Sequence, residues 1–203
     1  MSHTARASSH TQPAYFLTCC GHNVTDHPVM AFMKDYAAAL DATASSRTGL
    51  KYTGPGSPSK WLTEDFTFID PTGKAVSGVE PAWAAVMQVY GPMSSQYHEP
   101  RYGIIWETDD GYELFGVAWL YYNLHAPPRP QGGPEGGSAT KIKDESEGNE
   151  WEMAGPSANH FRYRRDKGGH QGLKICEQRV YADSFPMKAE LVKRGVVTLE
   201  QLS

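Results

Sequence analysis

Two long runs rich in aromatic and β-branched residues, "HEPRYGIIWET" (98–108) and "YELFGVAWLYYNLH" (112–125), are separated only by Asp109-Asp110-Gly111. Strand-forming residues on both sides of an Asp-Gly pair signal an antiparallel hairpin. A hairpin this long presents an apolar face that needs a second layer to cover it. A second pair of runs, "HFRYRRD" (160–166) and "GLKICEQRVYADSF" (172–185), predicts another long hairpin, with Asp166-Lys167-Gly168-Gly169 at its tip.

The covering layer comes from helices. In "TDHPVMAFMKDYAAALDATA" the apolar residues Val29, Phe32, Met33, Tyr36, Ala37, Leu40 and Ala44 recur at intervals of three and four, and Thr25 or Asp26 is available as N-cap. "GVEPAWAAVMQVY" predicts a second helix, ended by Gly91-Pro92, and "PMKAELVKRG" a short terminal helix or turn. Between the first two helices, "GPGSP" breaks the chain, and a short helix "SKWLTED" is expected to lead into the strand "FTFID". The order helix, strand, helix, then antiparallel strands reads as an α+β domain with helices on one face of a curved sheet. There is no internal repeat.

Residues 1–14 are rich in Ser, Thr and His, and residues 1–24 are expected to be a mobile segment, leaving residues 25–203 as a single domain. The stretch 127–158 has no sustained period and reads as an insertion loop, either disordered or a lid anchored through Trp151 and Met153.

The net charge of −4 gives no long-range attraction to nucleic acid or an anionic membrane. The basic run "RYRRDKGGHQG" has a hairpin-like centre with solvated flanks, the alternative being a phosphate site. Three cysteines, Cys19, Cys20 and Cys176, do not make a disulfide framework, which fits a reducing compartment. No apolar run reaches the roughly 18 residues of a membrane span, and the N-terminus lacks the apolar core of a secretory signal. The cytoplasm is the expected location. No metal-ligand spacing stands out among the eight histidines, and no phosphate-cradling Gly-rich loop follows a strand, so no cofactor is expected.

The motif "LTEDFTFIDPTGKAVSGVEPA", a strand, an Asp-Pro turn and Gly78 before a helix, together with the closing "GLKICEQRVYAD", resembles the nuclear transport factor 2-like superfamily. Within it, the similarity is to SnoaL-like polyketide cyclases and tailoring proteins of fungal natural-product pathways. The resemblance covers residues 25–125 and 158–195. It implies a cone: a strongly bent antiparallel sheet wrapped around helices, with an apolar cavity open at one end. It also implies a homodimer, since such relatives commonly pair through the sheet.

Strand alternation offers two faces, and the resemblance selects between them. It makes Asp70, at the end of its strand, the first acid/base candidate, the alternative being a turn carboxylate that caps local amides. It places Phe68 beside it. In the next strand His98, Tyr102 and Trp106 are expected to point inward, with His98 able to act as acid or base near neutral pH. In the strand after, Phe115, Trp119, Tyr121, Asn123 and His125 form the larger and more aromatic face and read as a pocket wall, the alternative being core or interface aromatics. Tyr36 and Gln178 complete the pocket, with Tyr121 and Asn123 as hydrogen-bond donors. Val180 stands where cyclases and epoxide hydrolases carry an aspartate, and Phe115 and Val117 where the hydrolases carry arginine and aspartate, so epoxide hydrolysis is not expected.

These residues suit a cofactor-free enzyme that folds a small hydrophobic substrate into one reactive shape. The expected reaction is cyclisation or isomerisation of a polyketide or terpenoid-polyketide intermediate, including a Diels-Alder-type cycloaddition. The alternatives are a dehydratase using Asp70 and His98 on opposite sides of a leaving hydroxyl, and a non-catalytic binding module.

Overall fold

The computed structural model describes residues 15–18, 27–44, 58–125, 141–198 and 200. Among these residues three helices, α1 (Pro28–Ala44), α2 (Val79–Tyr90) and α3 (Phe185–Lys193), accompany nine strands. The strands are β1 (Tyr15–Thr18), β2 (Leu62–Ile69), β3 (Ala75–Ser77), β4 (Met93–Glu107), β5 (Gly111–Leu124), β6 (Ile142–Lys143), β7 (Glu150–Trp151), β8 (Met153–His170) and β9 (Leu173–Ala182). Seven of them form one curved sheet in the order β1-β4-β5-β8-β9-β2-β3, and β6 and β7 form a separate small hairpin.

The α+β reading holds, with helices against one sheet face, but the sheet is mixed. β2 runs parallel to β9, with Phe68 opposite Gln178, while every other neighbouring pair is antiparallel. Parallel strands need a crossover between them, and here the intervening helix and meander supply it. Register shifts interrupt β4 between Met93 and Ser95 and between Pro100 and Tyr102, and the β8–β9 pair at Arg162/Tyr163. Each such irregularity adds bend and twist to the sheet.

The core lies between the helices and the sheet face that carries Ile105, Leu114, Phe161 and Ile175, against which α1 packs Val29, Phe32, Tyr36 and Leu40, and α2 packs Ala82 and Val86. Each such large apolar side chain contributes about 1.5–3 kcal/mol on burial. A second cluster joins α3 to the end of the sheet, through Leu191 against Met93, Tyr122 and Leu124. At the β4–β5 turn, Gly111 lies so close to β8 that a Cβ there would sit 1.9 Å from the Tyr163 carbonyl oxygen.

Several local expectations change. Thr25 and Asp26 lie outside the described residues, and His27 caps α1 instead, its Nδ1 accepting from the Val29 amide at 3.2 Å. The expected short helix "SKWLTED" is only a 3-10 turn at Pro58–Lys60, because Leu62 already pairs with Ile175 and the Trp61 carbonyl accepts from the Ile175 amide. Tyr15–Thr18, within the segment expected to be mobile, pairs with β4 as an edge strand. The turn of the second hairpin falls at Gln171-Gly172, both at positive φ, and not at Asp166–Gly169.

The insertion also ends sooner than its composition suggests. β8 begins at Met153 and stays in unbroken register with β5 from Met153 opposite Tyr122 to Arg164 opposite Gly111. Before it, the β6–β7 hairpin is organised by the buried Asp144, whose carboxylate accepts from the amides of Glu147 and Gly148 and from the Trp151 indole N–H. Trp151 stacks on Tyr97. That contact lies on the sheet face away from the helices, so the described part of the insertion is not a lid over the helix side.

Candidate active site

The site is set by which sheet face each strand residue occupies. Gln96 and His98 face the helices: the Gln96 amide donates to the Leu40 carbonyl at 3.1 Å, and His98 meets Asp41. Beyond Pro100 the bulge reverses the alternation. Pro100 pairs with Ala118 but Tyr102 with Val117, so Tyr102, Ile104 and Trp106 lie on the outer face while Ile105 packs in the core.

β5 has no matching irregularity against β8, so one face runs through Tyr112, Leu114, Gly116, Ala118, Leu120, Tyr122 and Leu124 toward the helices. Phe115, Val117, Trp119, Tyr121 and Asn123 lie on the outer face. The expected pocket wall is therefore inverted. The larger aromatic set faces outward, where Trp119 and Tyr102 are exposed and Trp106 stacks on His160. Phe115 meets Tyr181 there.

Tyr121 and Asn123 are occupied structurally. The Tyr121 hydroxyl donates to Glu99 at 3.0 Å and accepts from Arg101 at 3.3 Å. Burial, followed by the hydrogen bond to Glu99, pushes its pKa up. Asn123 donates to Ser95 and accepts from the Glu152 amide, tying β4 to the start of β8. His125 is exposed at the end of β5, its amide donating to the Pro92 carbonyl.

Asp70 is a turn residue. Its Oδ1 accepts from the Thr72 amide (2.8 Å), the Thr72 hydroxyl (2.6 Å) and the Lys74 amide (3.0 Å), which closes the β2–β3 turn. Partial burial pushes the carboxyl pKa up, but the Thr72 and Lys74 hydrogen bonds outweigh it and hold the group below its ordinary value. Three strands, β5, β8 and β9, separate β2 from β4 in the sheet, so Asp70 and His98 do not form the pair that the dehydratase reading needs. Tyr36, Phe68 and Gln178 are packed in the core at 1% exposure each, with the Tyr36 hydroxyl donating to Gln178 at 3.3 Å. Their expected pocket is filled by the protein's own side chains, among them Trp61 and Phe161.

What the structure does assemble on the helix side is a chain of three groups. Asp41, in the last turn of α1, places Oδ1 2.6 Å from His98 Nδ1 and accepts the His98 amide on Oδ2 at 3.2 Å. The Tyr90 hydroxyl, from the last residue of α2, lies 3.3 Å from His98 Nε2. An ionised carboxylate only accepts, so Nδ1 carries the proton, and in the neutral imidazole Nε2 presents its lone pair toward Tyr90. Burial, and next the charge of Asp41, push the Tyr90 phenol well above its usual range. It remains a donor. His98 and Asp41 side chains are 13% and 19% exposed, which limits water around the pair without sealing it.

Sequence reasoning singled out His98 but not Asp41 or Tyr90. The signal for Asp41 was its place in the last turn of a helix that carries no basic residue there. A carboxylate at the negative end of a helix dipole is disfavoured unless something compensates it. Nothing marked Tyr90, whose hydroxyl reaches His98 only because α2 ends where β4 begins.

No metal-ligating group of three or more side chains occurs among the described residues, and no helix among them is long and apolar enough to cross a membrane.

No protein-family model matches the chain, and no curated protein matches it significantly. Solved structures similar to it include Aln2 from a Streptomyces species, at 13% identity over 80% of this chain and 93% of that one, with a TM-score of 0.49. ActVI-ORFA from Streptomyces coelicolor shares 14% identity over 77% of this chain and 95% of that one, with a TM-score of 0.48. An NTF2-like protein with a cystatin-like fold from Novosphingobium aromaticivorans shares 12% over 75% and 78%, with a TM-score of 0.46.

Proposed function

We propose that this protein is a cofactor-independent enzyme that moves a proton on a small carbonyl-bearing substrate and so drives its cyclisation or isomerisation. The observation that carries this reading is the Asp41–His98–Tyr90 chain. Asp41 fixes the imidazole tautomer, which leaves Nε2 as the base. Tyr90 supplies an O–H beside it.

In this scheme Nε2 removes a proton from a carbon next to a carbonyl, and the C–H electron pair passes to the carbonyl oxygen, where the Tyr90 O–H donates to the developing enolate. The enolate carbon then attacks a second carbonyl of the same molecule, closing a ring, and the imidazolium returns its proton to the new alkoxide. If no second carbonyl is in reach, return of the proton to a different carbon gives an isomer. Polyketide intermediates, with acidic C–H groups flanked by carbonyls, have this chemistry. A pericyclic mechanism loses its main support, because the aromatic wall expected to shape the substrate faces away from the helices.

The test is comparative metabolite mass spectrometry on the source organism with the gene deleted, then complemented with wild type, His98→Gln or Asp70→Asn. Accumulation of an isomer of the lost product, with rescue by wild type and Asp70→Asn but not by His98→Gln, is the expected result. Rescue by His98→Gln would overturn the reading. Accumulation of a compound heavier by one water would point to dehydration, and an unchanged profile to a binding module.

Pairing through the outer sheet face is part of the same proposal. Tyr102, Trp119 and Tyr181 are 46%, 36% and 48% exposed on that face, beside Phe115. A two-fold axis would set this patch against its own copy. Trp119→Glu with Tyr102→Glu should then shift the protein to monomer in sedimentation, and a wild-type monomer would refute the pairing.

A further inference from the structure

A cavity of about 260 Å3 opens beside α1, lined by Asp35, Ala38 and Ala39 of the helix and by Lys60, Trp61 and His170. None of Asp41, His98 or Tyr90 lines it, so the cavity is distinct from the His98 site.

His170 reaches it by an unusual backbone path. Arg165 and His170 are both registered opposite Leu173, so Asp166–Gly169 is extruded from β8 before the strand returns. At the return, a Cβ on Gly169 would lie 2.1 Å from the Leu173 carbonyl oxygen. Only glycine allows that approach. The outcome is an imidazole held from two sides: His170 Nε2 is 2.7 Å from Asp35 Oδ2, and the ring lies 4.6 Å from the Trp61 ring.

The charges around the cavity are unequal in their engagement. Asp35 is already paired with His170. Lys60 Nζ sits 4.4 Å from the centre of the Trp61 ring, and among the described residues no carboxylate lies within ion-pair distance of it. An ammonium over an aromatic face is weakly held compared with one meeting an anion. The cavity thus presents Asp35 hydrogen-bonded to His170 on one side, the Lys60 ammonium with no carboxylate in ion-pair distance among the described residues, a flat indole and two alanine methyls.

We propose that this cavity is a binding site for a small monoanionic carboxylate with a flat apolar body, the carboxylate on Lys60 and the body against Trp61, Ala38 and Ala39. Its volume, just below the roughly 300 Å3 at which drug-sized ligand sites begin, suits one ring and its acid group. The proposal does not depend on the His98 reaction.

The probes are benzoate and its neutral counterpart benzyl alcohol, titrated while the Trp61 indole resonance is followed by NMR. Saturable binding of benzoate is expected, with benzyl alcohol about tenfold weaker for want of the charge-assisted contact. Lys60→Met should weaken benzoate to the level of benzyl alcohol. Ala38→Leu, an exposed helix position that accepts leucine, should fill the cavity and abolish binding of both while the melting temperature is kept. Absence of saturable benzoate binding, equal binding of the two probes, or binding unchanged in both variants would overturn the proposal.

Discussion

Nδ1 of His98 lies 2.6 Å from Oδ1 of Asp41, across 57 residues of chain, and the same carboxylate takes the His98 amide on its other oxygen. Asp41 thereby positions His98 twice, through the ring and through the backbone. Asp41→Asn keeps an acceptor for Nδ1–H but removes the charge that stabilises the imidazolium. Turnover is expected to fall by about 10²–10³-fold for Asp41→Asn and by more for His98→Gln, within the usual range for losing a general base. Equal, unimpaired turnover in both would remove the dyad from the mechanism.

Asp70 and Tyr121 supply the converse test. Asp70→Ala deletes the acceptor of three hydrogen bonds in an exposed turn and should cost about 1 kcal/mol of stability. Tyr121→Phe removes an outer-face hydroxyl that donates to Glu99. Neither should change kcat/KM beyond about twofold, a difference well under 1 kcal/mol in transition-state stabilisation. A loss of a hundredfold in either, with the fold intact by circular dichroism, would return the site to the other face.

The architecture was legible in the sequence because it depends on long periodic segments. Val29, Phe32, Tyr36 and Leu40 at helical spacing and the β4–β5 hairpin all fall where their patterns put them. The candidate site was less legible because it depends on parity. A single extra residue between Pro100 and Tyr102 turns His98 and Tyr102 to opposite faces, and no residue type there announces it. On β5 the choice of the more aromatic face as the interior failed for a related reason. Leu114 packs into the helix-side core, whereas Tyr121 lies outside between Trp119 and Trp151. The dyad itself joins a helix end to a strand, a contact that neither segment encodes alone.

Arg101 tests how the outer-face network contributes to stability. Its guanidinium bridges Glu99 at 2.8 Å and Glu145, and it also donates to Tyr121. Glu99 is only 6% exposed, so Arg101→Met leaves a buried carboxylate with the Tyr121 hydroxyl and no cation. Removing one partner of a fully buried pair costs about 3–5 kcal/mol. Here the arginine side chain is 24% exposed, so about 2 kcal/mol is expected after allowing for solvent screening. Glu99→Gln still accepts from Tyr121 and should cost less. Urea denaturation with unchanged m-values would check the order, which would be refuted if Glu99→Gln proved the more damaging.

Asp144 predicts an acid-induced release of the β6–β7 hairpin. Burial pushes its carboxyl up, but the Trp151 indole N–H and the Glu147 and Gly148 amides outweigh this and hold it below its ordinary value of 3.8. A carboxyl depressed in the folded state binds fewer protons there than in the released state. Its contribution is therefore complete above about pH 3.8 and is lost as the pH falls below that value and through the folded pKa. Protonation leaves Asp144 a weaker acceptor for three donors at once, so Trp151 should leave its stack with Tyr97 before the main sheet unfolds. The difference in tryptophan emission between wild type and Trp151→Phe isolates that step. A transition centred below pH 3.8, absent in Asp144→Asn, is expected, whereas one centred at pH 5 or above would show that another group holds the hairpin.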